Sequence, residues 1–150
     1  MSQPRQETGG RILALDLGER RIGLAISDPL GLTAQGLPTL IRTNKRSDWA
    51  ALLRLIKDKQ VTRVVVGLPL KLSGREGAQA QAARRFAEEL ARQTGLPVEL
   101  YDERLTTAEA QRVLRASGMG PRKRAQASDR LAAVLILESY LEARAAREQG

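Results

Sequence analysis

The stretch Val61-Thr62-Arg63-Val64-Val65-Val66-Gly67 constrains the fold of this chain more than any other. It is too short for a helix, rich in valine and closed by a glycine. Such runs suit a strand buried on both faces, which requires covering layers on both sides of a sheet. The flanking segments supply those layers. Residues 78–94 read as a helix ending at Gly95, a fitting residue for the left-handed position after a last turn. Upstream, Trp49, Leu52, Leu53 and Ile56 recur at helical spacing, in a helix capped by Ser47 and running to about Lys59.

The N-terminal third is strand-like. Residues 11–17 and 21–28 are apolar segments separated by Gly18-Glu19-Arg20, the pattern of a hairpin with glycine in its turn. Residues 37–43 form a third strand, with Pro38 placing it at an edge. Val98 to Tyr101 is the next strand. Thr106 and Glu109 have capping-box spacing and open a helix that stops near Gly118. Residues 118–127 read as a basic loop, and a last helix runs from about Ser128 to Ala146. The order β-β-β-α-β-α-β-α-α predicts an α/β fold with a mixed sheet flanked by helices.

Length allows one domain over 11–150, with a short disordered tail over 1–10. No apolar run reaches the ~18 residues that span a membrane, and the N-terminus lacks the apolar core of a signal peptide. Cysteine and histidine are both absent. Thiolate nucleophiles, structural zinc sites and histidine bases are thereby excluded. Hydrolytic chemistry must rest on carboxylates, lysines, hydroxyls or bound metal. A formal charge of +8 favours a polyanionic partner, although an arginine-rich composition serving solubility gives the same sum. With four aromatic residues, recognition by backbone and shape is expected over base stacking.

Three acids sit at the mouths of segments that otherwise read as core. Asp16 ends the first strand, Glu103 follows the strand at 98–101, and Asp129 opens the last helix. Carboxylates in such places are costly unless a partner offsets their desolvation, and a hard divalent cation is the usual one. Each acid also has an ordinary explanation. Asp16 suits a hairpin turn, Asp102-Glu103-Arg104 a solvated loop, and Asp129 a first helical turn favoured by the helix dipole. The basic candidates for phosphate contact are Arg20 and Arg21 in the hairpin, Lys71 and Arg75 after the valine strand, Arg104, and the cluster Arg122-Lys123-Arg124. Each of these can equally be a solvated charge.

Four blocks, in this order, resemble the YqgF or RuvX-like family of Holliday-junction resolvases and pre-16S rRNA nucleases. They are Leu15-Asp16-Leu17-Gly18 with Arg21-Ile22-Gly23-Leu24-Ala25 and Ser27-Asp28; Val66-Gly67-Leu68-Pro69 with Gly74; Asp102-Glu103-Arg104 with Thr106-Thr107 and Ala110; and Asp129 with Ala132-Ala133, Ile136-Leu137 and Tyr140-Leu141. The resemblance spans about Arg11 to Leu141. One small departure falls at Ala34-Gln35-Gly36-Leu37, where the family usually has proline before the leucine.

The resemblance implies an RNase H-like fold with a five-stranded sheet, and Asp16, Glu103 and Asp129 as the catalytic, metal-binding set. Two Mg²⁺ or Mn²⁺ ions bridged by Asp16 would then serve phosphodiester hydrolysis. The expected substrate is precursor rRNA, trimmed in the 5′ region of pre-16S rRNA in the cytoplasm. Four-way DNA junctions are the alternative, and junction resolution normally calls for a symmetric dimer. No dimer seam stands out, so a monomer or weak homodimer is expected. A non-catalytic nucleic-acid-binding module explains the charge but not the acids. An actin-like kinase, whose first phosphate loop looks similar to residues 16–23, needs a second lobe that 150 residues do not supply.

Overall fold

In the computed structural model, the described residues are 10–71, 73–103, 118 and 120–149, without the side chains of 121–126, 128 and 149. Residues 1–9 of the tail expected over 1–10, and the helix expected over 106–117, lie outside them. The chain forms β1 (Arg11–Leu17), β2 (Arg21–Ser27), β3 (Ala34–Ile41), α1 (Lys45–Asp58), β4 (Val61–Leu68), α2 (Ala78–Thr94), β5 (Val98–Asp102) and α3 (Pro121–Gln149). The five strands make one mixed sheet in the order β3-β2-β1-β4-β5. β1, β4 and β5 are parallel neighbours, whereas β2 runs antiparallel to both β1 and β3.

The valine strand β4 is interior, between β1 and β5, and Val64, Val65 and Val66 are fully buried. Its two faces feed two cores, as period-2 alternation requires. Leu13, Leu15, Ile22, Leu24, Val64 and Val66 join Leu52 and Ile56 of α1 and Ala83 and Leu90 of α2. On the other face, Ile12, Ala14, Ala25 and Val65 pack against Ala133, Ile136, Leu137 and Tyr140 of α3. The aromatics lock these layers. Trp49 of α1 stacks on Phe86 of α2 at 4.6 Å, and Tyr101 meets Tyr140 edge-on at 6.1 Å.

Three boundaries depart from the sequence reading. β3 starts at Ala34 instead of residue 37, and Pro38 lies inside it. The strand tolerates the proline because β3 is an edge and the β2–β3 register shifts there, between the pairs Leu24–Leu37 and Ile22–Leu40. The cap of α1 is Asn44, not Ser47: the Asn44 side chain accepts from the Ser47 backbone N–H at 2.9 Å. The largest correction concerns α3. Residues 121–127 are helical, so the helix begins seven residues before Ser128. Pro121 suits a first helical position, and the arginines, lysine, alanines and glutamine that follow are good helix formers. Asp129 therefore does not lie in a first turn. Among the described residues, no helix is long and apolar enough to cross a membrane.

Candidate active site

Alternation along the strands places the acids. In β1, Ile12 and Ala14 face α3, and Asp16 continues that row. In β5, Glu99 and Tyr101 face α3, because Tyr140 donates to Glu99 Oε2 at 2.5 Å and the Tyr101 and Ser139 hydroxyls are 2.6 Å apart. Glu103 is the next residue in that row, one position past Asp102, and its backbone N–H reaches the Leu68 carbonyl at 3.3 Å. In β2, Arg21 and Gly23 share the face of Ala25. Asp16, Glu103, Arg21 and Gly23 sit at the end of the sheet where the parallel strands β1, β4 and β5 have their C-termini, the place where open α/β sheets put their ligands.

Two glycines make room for the acids. Gly23 is the register partner of Asp16. A Cβ on Gly23 would lie 2.0 Å from the backbone oxygen of Asp129, so α3 passes directly over β2 at this point. Gly67 lies one step beyond the Leu15–Val66 pair, on the other side of Asp16. A Cβ there would meet Glu103 Oε2 at 2.4 Å and Ile136 Cδ1 at 2.9 Å. Any side chain at either position would push an acid out of the cluster. In the sequence Gly67 reads as the end of the valine strand, and Gly23 stands out only through the family pattern. Their steric role becomes visible with the strand register.

The electrostatics are those of crowded carboxylates. Glu103 is 8% exposed, which removes the solvated-loop explanation. Asp16 is pushed up to about 8, first by burial, then by the charge of Glu103, a hydrogen bond with Glu103 and the charge of Asp129. Without a cation, the Asp16–Glu103 pair therefore holds a proton at neutral pH. Asp129 is engaged by Arg21, whose Nε donates to Oδ2 at 2.7 Å. Among the described residues, no three acidic side chains are gathered into a ready cation cage. The donors are nonetheless all hard oxygen atoms, carry more negative charge than Arg21 balances, and include a carboxyl that burial keeps protonated. That set fits a divalent cation such as Mg²⁺.

The basic candidates divide. Arg20 is exposed in the β1–β2 turn, and Lys71 and Arg75 are exposed on the loop leaving Leu68, at the same end of the sheet. That loop is braced by backbone bonds between Lys71 and Arg75 and between Gly74 and Lys71. Arg21 is committed to Asp129, a pairing that the sequence does not signal. Arg104 and the side chains of Arg122, Lys123 and Arg124 lie outside the described residues.

The fold has known counterparts. RuvC of Thermus thermophilus superposes with a TM-score of 0.55 at 18% identity, over 91% of this chain and 96% of that one. The RuvC structure in complex with a Holliday junction substrate gives 0.56. At that identity the likeness is one of fold, and the fold is RNase H-like. A family model described as "RuvX: Holliday junction resolvase" matches residues 10–143. The chain belongs to the RuvX family of nucleases. Similar curated proteins include those of Koribacter versatilis, 58% identical over 90% of this chain and 88% of its own length, and Syntrophus aciditrophicus, 51% identical over 89% of each. Both carry the name "Putative pre-16S rRNA nuclease".

Proposed function

We propose that this chain hydrolyses phosphodiester bonds of precursor rRNA, trimming the 5′ region of pre-16S rRNA in the cytoplasm. The observation that carries the chemistry is the Asp16–Glu103 carboxyl pair, hydrogen-bonded to each other with the charge of Asp129 nearby, which raises Asp16 to about 8. The substrate class rests on the names of relatives 43–58% identical to this chain, together with a net charge of +8.

In this reading Asp16, Glu103 and Asp129 would hold two Mg²⁺ or Mn²⁺ ions. Cations so held would supply an activated water and charge stabilisation for the leaving oxygen of an in-line displacement. The proton that crowding keeps on the Asp16–Glu103 pair would have to leave for a cation to be held there. Arg21 sets the position of Asp129 and balances part of its charge. Arg20, Lys71 and Arg75 line the approach for the phosphate backbone, joined by Arg104, Arg122, Lys123 and Arg124. Residues 11–150 act as one domain, as a monomer or weak homodimer.

Resolution of four-way DNA junctions is the second reading, favoured by the description of the family model. Incubating the purified protein with a structured precursor rRNA fragment, single-stranded RNA, single-stranded DNA and a four-way junction separates the two. Each substrate is run with Mg²⁺, Mn²⁺ or EDTA. Cation-dependent cleavage of the precursor supports the first reading. Paired symmetric cuts in the junction, with the precursor intact, replace it with the second.

A further inference from the structure

A cavity of about 570 Å³ opens between α1 and α2, lined by Ile22, Arg42, Lys45, Trp49, Arg85 and Phe86 among others. It lies on the sheet face opposite Asp16 but at the same end of the sheet, since Ile22 is the register partner of Leu17. Arg42 ties the two places together. Its Nη1 donates to the Gly18 carbonyl at 2.6 Å, and its backbone N–H donates to the Arg20 carbonyl at 2.8 Å. The β1–β2 turn is thus the rim between the acidic site and the cavity.

The lining has the chemistry of a nucleotide site. Trp49 and Phe86 are stacked at an interplanar angle of 15°, and neither ring is fully buried. The two acids in the wall are already engaged. Asp48 accepts from the Thr43 backbone and faces Arg42, and Glu89 is held by Gln93 and Arg92. Lys45 and Arg85 are exposed, and among the described residues neither has an ion-pair partner. Aromatic surface beside unpaired cations is how single-stranded nucleic acid is held without sequence readout.

We infer that this cavity takes an unpaired nucleotide flanking the cleaved bond, with its base against Trp49 and Phe86 and its phosphates at Lys45 and Arg85. The inference rests on the nuclease reading of the acidic site. A strand whose scissile bond lies at Asp16 would pass over Gly18 and Arg20 and continue into the cavity. Stacking of Trp49 on Phe86 also joins α1 to α2, so truncating either ring tests stability as much as binding. The exposed cations give the cleaner variants.

Trp49 is the chain's one tryptophan and lines the cavity, so its emission is a local probe of that wall. The whole protein is titrated with short single-stranded RNA in EDTA, which prevents cleavage on the nuclease reading. Binding is followed in parallel by anisotropy of the labelled RNA. The expected result is saturable quenching, with the Kd weakened about tenfold or more in the Lys45→Glu, Arg85→Glu double variant at unchanged circular dichroism. The salt dependence should flatten by about 0.7 in log–log slope for each phosphate that the variant no longer neutralises. RNA binding with Trp49 emission unmoved overturns the inference, as does quenching that is equal in the double variant, or no binding of single-stranded RNA. If the wild type cleaves precursor rRNA while Trp49 stays silent, the cavity fails and the acidic site stands. If Trp49 responds but no substrate is cleaved with Mg²⁺ or Mn²⁺, the nuclease reading fails, and the cavity with it as a substrate contact.

Discussion

Arg21 Nε lies 2.7 Å from Asp129 Oδ2, joining residues 108 apart in sequence and fixing α3 over the end of β2. Both side chains are less than one third exposed. The pair therefore belongs between the weak surface bridges and the costly buried ones. Arg21→Gln should lower stability by about 1 kcal/mol, roughly 2–4 °C in Tm for a chain of this size. It also leaves three carboxylates with less compensation, so Mg²⁺ or Mn²⁺ should raise the Tm of the variant more than that of the wild type. Differential scanning calorimetry with and without cation checks both statements.

Gly23 and Gly95 make a matched contrast. Gly23→Ala places a methyl 2.0 Å from the Asp129 carbonyl oxygen, which is backbone and cannot swing aside. It should cost about 3 kcal/mol or more and abolish cleavage, because α3 must lift from the sheet. Gly95→Ala meets nothing within 4 Å and is strained only by its φ of +72°. It should cost about 1 kcal/mol and leave cleavage intact. Chemical denaturation and a cleavage assay on both variants test the difference.

The Asp16–Glu103 pair gives stability a definite pH dependence. A carboxyl raised from about 4 to about 8 on folding binds more protons in the native than in the unfolded state over that window. Cation-free stability should therefore fall as pH rises from about 4 to about 8. Asp16→Asn should flatten this slope, and cation affinity should rise over the same range, because binding displaces the proton. Unfolding titrations in EDTA across that range provide the measurement.

Asp28 organises the loop at the far end of the sheet. Its carboxylate accepts from the backbone N–H groups of Leu30, Leu32 and Thr33, and these bonds hold it below the usual carboxylate range. Asp28→Ala should speed amide exchange at those three residues and leave cleavage unchanged, since the loop leaves β2 at the end away from Asp16. Hydrogen exchange alongside the cleavage assay tests this.

Local pattern carries the elements whose signals are local. The valine strand, the Gly18 turn and the helix ending at Gly95 match their sequence readings because alternation, turn chemistry and the left-handed terminus each act over a few residues. The start of α3 departs from its reading because Gly118, Gly120 and the charges of Arg122-Lys123-Arg124 suggest a loop, whereas the helix propensity of the same residues prevails. Asp16, Glu103 and Asp129 stand out singly in the sequence. The Asp16–Glu103 contact, the clearance at Gly23 and Gly67 and the Arg21–Asp129 pair depend on strand register and helix placement, which no spacing along the chain encodes.

Whether Asp16 anchors a cation-dependent nuclease centre is decided by single-turnover cleavage of a structured precursor rRNA fragment, comparing wild type with Asp16→Asn in Mg²⁺, Mn²⁺ and EDTA. The wild type should cleave only with cation, and Asp16→Asn should lose about a hundredfold or more at unchanged circular dichroism. Equal cleavage by Asp16→Asn and wild type would rule that role out.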